Sequence, residues 1–144
     1  MKLDQIMNLW EEDTHIDRSD LSTEALRIPK LHHKYYDIYV KEVLRLRKME
    51  TELKTLKLQK YEFLTQGPTK DQFDSGWKMP ASGRILKSEV SNYLEADKDV
   101  INMTLNIALQ KEKVDLLDSI IKSLKDRGYL IKNAIEFERF RNGG

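Results

Sequence analysis

Residues 35–63 read YYDIYVKEVLRLRKMETELKTLKLQKYEF. Tyr35, Tyr39, Leu46, Met49, Leu53, Leu56 and Phe63 hold one heptad register, with Glu42 and Lys60 as polar exceptions within it. Alternating steps of 4 and 3 sustained this far predict a helix with a coiled-coil-like seam. A lysine in such a seam costs stability, and its ammonium must snorkel to water or meet an anion. A second stripe, Tyr36, Val40, Val43 and Leu44, predicts burial of the first half of this helix from two sides.

Working outward, Gly67-Pro68 ends the helix by a glycine stop and a proline breaker. Pro29 suits a first turn, where its missing N–H costs nothing. The helix is therefore expected from about Leu31 to Gln66. A second heptad follows at Val100, Met103, Ile107, Val114, Leu117, Ile121 and Leu124, with Gln110 as its polar member. This helix is expected to begin near Ser88–Leu94 and run to Arg127, with Gly128 as a left-handed stop. Ile101, Leu105, Leu109, Leu116 and Ile120 form another stripe beside its seam.

Shorter elements flank the pair. Leu3, Ile6, Met7, Leu9 and Trp10 mark an amphipathic helix over 3–13, and Asp17 or Ser19 can cap a turn reaching Leu26. Leu130, Ile131, Ala134, Ile135 and Phe137 mark a C-terminal helix. The expected organisation is one helical domain, residues 1–144. It comprises an acidic N-terminal segment (1–27), a long basic helix (28–66), a connector (67–88), a second long helix (89–127) and a C-terminal helix (129–142).

The fold class is all-α, a long antiparallel helical hairpin. One hairpin covers one stripe per helix, so the second stripes require a partner. The N-terminal segment is expected to cover some of this surface and identical copies the rest, and a repeated heterologous contact closes into a ring when its rotation permits.

Charged residues make up 34% of the chain and aromatics 8%, a mix that favours long amphipathic helices. Without cysteine, neither a disulfide nor a thiolate metal site can form, and a reducing cytoplasmic compartment is expected. No apolar run approaches the ~18 residues of a membrane span, and the start does not read as a signal peptide. The net charge of +1 conceals an uneven distribution. Residues 28–66 carry 9 basic against 5 acidic groups, whereas residues 1–27 carry 3 against 7.

Little in the chain suggests catalysis. Neither a phosphate-binding glycine loop nor a nucleophile motif occurs. His32 and His33 point about 100° apart on a helix and cannot chelate one ion together. Glu95, Asp97 and Asp99 suit a helix start, where the dipole favours acids. No catalytic residue, metal or cofactor is expected.

The basic helix is the candidate site. Arg47, Lys54, Lys57 and Tyr61 fall within about a quarter of the helix circumference at ~100° per residue. Cations beside an aromatic suit single-stranded nucleic acid, where charges follow phosphates and rings stack on bases. The competing reading is a solvated face on a helical scaffold that binds no nucleic acid. In the connector, Trp77 and Phe73 either pack over the hairpin tip or contact bases.

Four segments resemble the UvsY family of recombination mediators of T-even-like bacteriophages. They are residues 16–25 (IDRSDLSTEA), residues 56–60 (LKLQK), residues 94–100 (LEADKDV), and residues 121–132 with their Ile121-Lys122-Ser123 and Arg127-Gly128-Tyr129 steps. Lys57 matches the lysine of the family's Leu-Lys-Ala-Arg motif. Gln59 replaces its arginine, and Lys60 follows one position later, a ~100° turn away.

The resemblance implies a non-enzymatic homo-oligomeric ring, a heptamer, in the cytoplasm of the infected bacterium. It implies binding of single-stranded DNA and loading of a RecA-like (UvsX-like) recombinase onto DNA covered by the phage single-strand-binding protein. The DNA-binding set is then Arg47, Lys54, Lys57, Gln59, Lys60 and Tyr61. The family's C-terminal region drives oligomerisation, which points to Val114, Leu117, Ile120, Ile121, Leu124, Leu130, Ile131, Ile135 and Phe137.

Overall fold

A computed structural model describes residues 1–143. Among them the helices are α1 (Leu3–Asp13), α2 (Leu21–Gln66), α3 (Lys70–Asp74), α4 (Val90–Ala96) and α5 (Lys98–Arg141). The chain divides into two compact units, Met1–Arg45 with Gln110–Gly144, and Leu46–Leu109.

The first unit is built on the apolar stripes of three helices. Ile6 of α1, Leu31 and Tyr35 of α2, and Leu117, Ile120 and Leu124 of α5 are all buried in one cluster. Burial of each such side chain contributes roughly 1.5–3 kcal/mol. α2 and α5 run antiparallel in this unit, as a hairpin requires. The polar exceptions of the two heptads meet there. Gln110 Nε2 donates to Glu42 Oε2 at 2.6 Å and to the Glu42 carbonyl at 2.9 Å. Met1's amino group lies 3.2 Å from Glu42 Oε1.

A second polar node ties α1 to the long helices. Asp13 accepts from Lys34 Nζ at 2.6 Å and from the Tyr35 hydroxyl at 2.8 Å. Arg127, buried, donates to the carbonyls of Asp13 and Thr14 at 3.0 and 2.5 Å, closing the open end of α1. Burial, and after it the Asp13 hydrogen bond, pushes the Tyr35 hydroxyl well above the ordinary phenol range.

Three helix boundaries differ from expectation. α2 starts at Leu21, capped by Asp20, whose Oδ1 accepts from the Thr23 N–H at 3.3 Å. It runs straight past the expected start at Pro29. An internal proline costs about 3 kcal/mol. The stripe Leu21, Glu24, Leu31, Tyr35 is buried on both sides of it, while Pro29 faces outward, so burial wins. α5 likewise continues through Gly128, which is helical rather than left-handed. A glycine in a helix costs about 1 kcal/mol. The buried Leu124, Arg127 and Ile131 outweigh it. A Cβ at Gly128 would stand 4.0 Å from Ile28 Cδ1, so the long helices pass closely there. Hence there is no separate C-terminal helix. Finally, the second long helix starts later than expected, at Lys98. Asp97 is extended between α4 and α5 and caps α5, its Oδ2 accepting from the Val100 N–H at 3.1 Å.

The second unit has its own core of Phe63, Leu64, Ile85 and Val90, flanked by Tyr61, Trp77, Met79 and Leu94. Gly67 stops α2 as expected, with φ +97°. The connector is ordered. Thr69 caps the short α3, and the Ile85 N–H donates to the Leu64 carbonyl at 2.9 Å.

Glu42 and Asp13 predict acid sensitivity. Burial raises both carboxyls, but it is outweighed at Glu42 by Gln110 and the N-terminal amine, and at Asp13 by Lys34 and Tyr35, so both end below their ordinary values. Groups lowered in the folded state contribute stability that is complete above the unfolded pKa values, about 3.9–4.3, and lost as pH falls through the folded ones. The urea midpoint should therefore be flat from about pH 7 to 5 and fall below about pH 4. Glu42→Gln should shrink that acid loss.

Candidate nucleic-acid interface

Arg47, Lys54 and Lys57 of α2 lie in the second unit, on the stretch of helix whose buried face is set by Phe63 and Leu64. Arg47, Lys54 and Lys57 are exposed, and among the described residues none has a carboxylate within 4.0 Å. By contrast Lys41, Arg45 and Lys48 each pair with a carboxylate on their own helix. The first three are thus an arc without ion pairs, although Glu50 falls among them and lowers its net charge, and the others belong to a charge-balanced face. Tyr61 lies half-buried within the arc, and Gln59 is exposed on a different side of the helix. Leu58, also exposed, shares the arc at ~20° from Arg47.

Lys60 stands apart from this group. It is 6% exposed. Its ammonium lies 2.7 Å from Asp99 Oδ2, 3.2 Å from Asp97 Oδ1 and 3.8 Å from the centroid of Trp77. The seam lysine therefore meets anions, one of the two outcomes its position demanded. With two carboxylates beside it, Lys60 is a neutralised cation in this arrangement rather than a bare one. Asp97 and Asp99, which the sequence marked only as helix-start acids, are its partners. The signal available in the sequence was the lone cation inside an apolar register. Trp77 packs edge-on against Phe63 at 5.4 Å, whereas Phe73 is exposed.

Of the residues expected at subunit contacts, Leu117, Ile120, Leu124 and Ile131 are consumed by the chain's own interior. They are thereby removed from any outer surface. Val114, Ile121 and Ile135 are half-buried, and Leu130 and Phe137 are exposed. Besides Leu130 and Phe137, exposed apolar surface lies on Tyr36, Val40 and Leu44 of α2, Ile101, Leu105 and Leu109 of α5, and Phe140 at 83% exposure. Both sets on the long helices repeat at i, i+4 and i+8, and both coincide with the surplus stripes of the sequence. Among the described residues no cluster of three or more His, Asp or Glu can hold a metal ion, and no helix is long and apolar enough to cross a membrane.

These features define a class: an all-helical protein with an unpaired cationic arc and more apolar surface than one chain covers. The family described as "Recombination, repair and ssDNA binding protein UvsY" matches residues 9–144. The chain belongs to that family. It is 25% identical over 146 residues to the recombination protein uvsY of Enterobacteria phage T4, covering 99% of each sequence. Its fold matches crystal structures of the bacteriophage T4 recombination mediator protein UvsY. In lattice type IV the TM-score is 0.83 at 20% identity, covering 97% of this chain and 99% of that one. In lattice type II it is 0.79 at 24% identity, covering 100% and 99%.

Lys60 and Lys57 should separate in a stability measurement. Lys60→Met strands Asp97 and Asp99 beside an apolar wall and should cost about 1–3 kcal/mol in urea unfolding. Lys57→Met, at an exposed and unpaired site, should stay within about 0.5 kcal/mol.

Proposed function

We propose that the chain is a recombination mediator that binds single-stranded DNA along α2 and loads a RecA-like recombinase onto DNA covered by the phage single-strand-binding protein. It acts in recombination, replication and repair in the cytoplasm of the infected bacterium. The observation that carries this reading is the arc of Arg47, Lys54 and Lys57, three exposed cations without counter-carboxylates, in a member of a single-stranded-DNA-binding family. Nearby Lys41, Arg45 and Lys48 each have a carboxylate partner on the helix and are less available to a phosphate.

Phosphate neutralisation by Arg47, Lys54 and Lys57 supplies affinity, and Tyr61 at the arc offers a ring edge to a base. Gln59 contributes an uncharged amide at the margin. Lys60 supports the site from below by fixing the start of α5. Such contacts carry little base information, so binding is sequence-tolerant.

One patch of this size is weak. Copies assembled through the exposed stripes into a ring, a heptamer by likeness to the family, hold one strand at many patches, and effective concentration multiplies their affinities. A strand drawn along such a ring is held away from the resident single-strand-binding protein and presented to the recombinase.

Anisotropy of a labelled oligonucleotide against salt tests the reading. Log affinity should fall linearly with log salt, by about 0.7 per phosphate neutralised. Lys54→Ala with Lys57→Ala should reduce that slope by about 1.4 per engaged subunit. A salt-independent signal, or an oligomer indifferent to the oligonucleotide, would favour a scaffold without nucleic acid. Assembly is tested separately by light scattering on a sizing column. The natural chain should elute as an oligomer, and Leu105→Glu with Leu109→Glu should move it toward the mass of a single chain.

A further inference from the structure

Beside α4, the connector and the start of α5 line a hollow of about 590 Å³. Its wall is formed by Trp77, Tyr93, Lys78, Lys98 and the Lys60–Asp97–Asp99 cluster. Every one of these residues lies in the second unit. We propose that this hollow is a second contact for the DNA strand, taking one nucleotide with its base against Tyr93 and Trp77 and its flanking phosphates on Lys78 and Lys98. The proposal rests on the single-stranded DNA reading above.

Charge supports it. Lys78 and Lys98 are exposed and, among the described residues, have no carboxylate within 4.0 Å. The acids in the wall, Asp97 and Asp99, would repel a phosphate if bare. Lys60 lies 3.2 and 2.7 Å from them and offsets that repulsion. Three lysines against two carboxylates leave the hollow with a net positive charge.

Shape supports it equally. Trp77 is held in place, edge-on to Phe63 and over the Lys60 ammonium. It is a fixed wall rather than a mobile side chain. Tyr93 is 39% exposed and free to receive a ring face. Stacking of a base on an aromatic side chain is worth about 1–3 kcal/mol and tolerates every base. The hollow thus joins the two chemistries that single-stranded DNA requires, on side chains of the connector, α4 and α5.

The test uses the full-length chain and an unlabelled oligothymidylate, read by tryptophan emission, beside a labelled one read by anisotropy. Trp77 and Trp10 are the two tryptophans, and Trp10 packs against Tyr35 in the first unit. Emission should drop on saturation, and Trp77→Phe should abolish the drop while anisotropy persists. Lys78→Ala with Lys98→Ala, both at exposed positions, should reduce the salt slope by about 1.4 and weaken binding roughly tenfold at moderate salt. An unchanged slope in that double variant, or an emission drop that survives Trp77→Phe, overturns the second contact while leaving DNA binding by the natural chain intact. No anisotropy change with the natural chain overturns DNA binding itself, and this contact with it.

Discussion

A carboxylate and an amide facing each other inside an apolar seam fix how α2 and α5 mate. Apolar heptads alone specify that two helices pair, but a slide by one heptad leaves similar side chains in contact. Glu42 and Gln110 remove that freedom. Displaced by a turn, each would be buried opposite a hydrocarbon, and an unsatisfied buried polar group costs about 1–3 kcal/mol, more for a charge. Their 2.6 Å hydrogen bond exists in one alignment. Everything else in the first unit follows from it. Tyr35 lands among Leu117, Ile120 and Leu124, and Arg127 lands beside the end of α1.

The second unit repeats this logic with charge. Lys60 is the only cation of its heptad, and two aspartates and an indole enclose it. Chain connectivity alone would leave the connector loose. The lysine gathers the end of α2, the connector's Trp77 and the start of α5 at one point. Arg47, Lys54 and Lys57 of the same unit, like Lys78 and Lys98, have no carboxylate within 4.0 Å among the described residues. The second unit thus separates one enclosed lysine from a set of bare ones, and the bare set is the one open to an anion.

How much of this could be read from sequence depended on whether the signal was periodic. The two heptads, their three polar exceptions and the stop at Gly67 are local patterns, and they foretold the helices and the unusual seam positions. Pro29 and Gly128 misled because breaker rules weigh a residue against its neighbours in the chain. Here Leu31 and Ile131 contribute burial energy that depends on residues far away in sequence. The interruption at Asp97 escaped notice because one extended residue scarcely disturbs a helical pattern. For the site, the arc geometry followed from 100° arithmetic, but Lys60 needed its partners located before its charge could be assigned to the interior. The burial of part of the expected subunit-contact set was hidden in the same way. Leu117, Ile120 and Leu124 look identical to surface leucines and isoleucines until something covers them.

Asp97 uses its two oxygens for different tasks. Oδ2 receives the Val100 N–H at the first turn of α5, and Oδ1 faces the Lys60 ammonium. Asparagine could keep the turn but would surrender the charge. Glutamate would keep the charge but overreach the turn. Of these three side chains only aspartate serves both tasks, and fraying at the head of one long helix must loosen the tail of the other at the same moment.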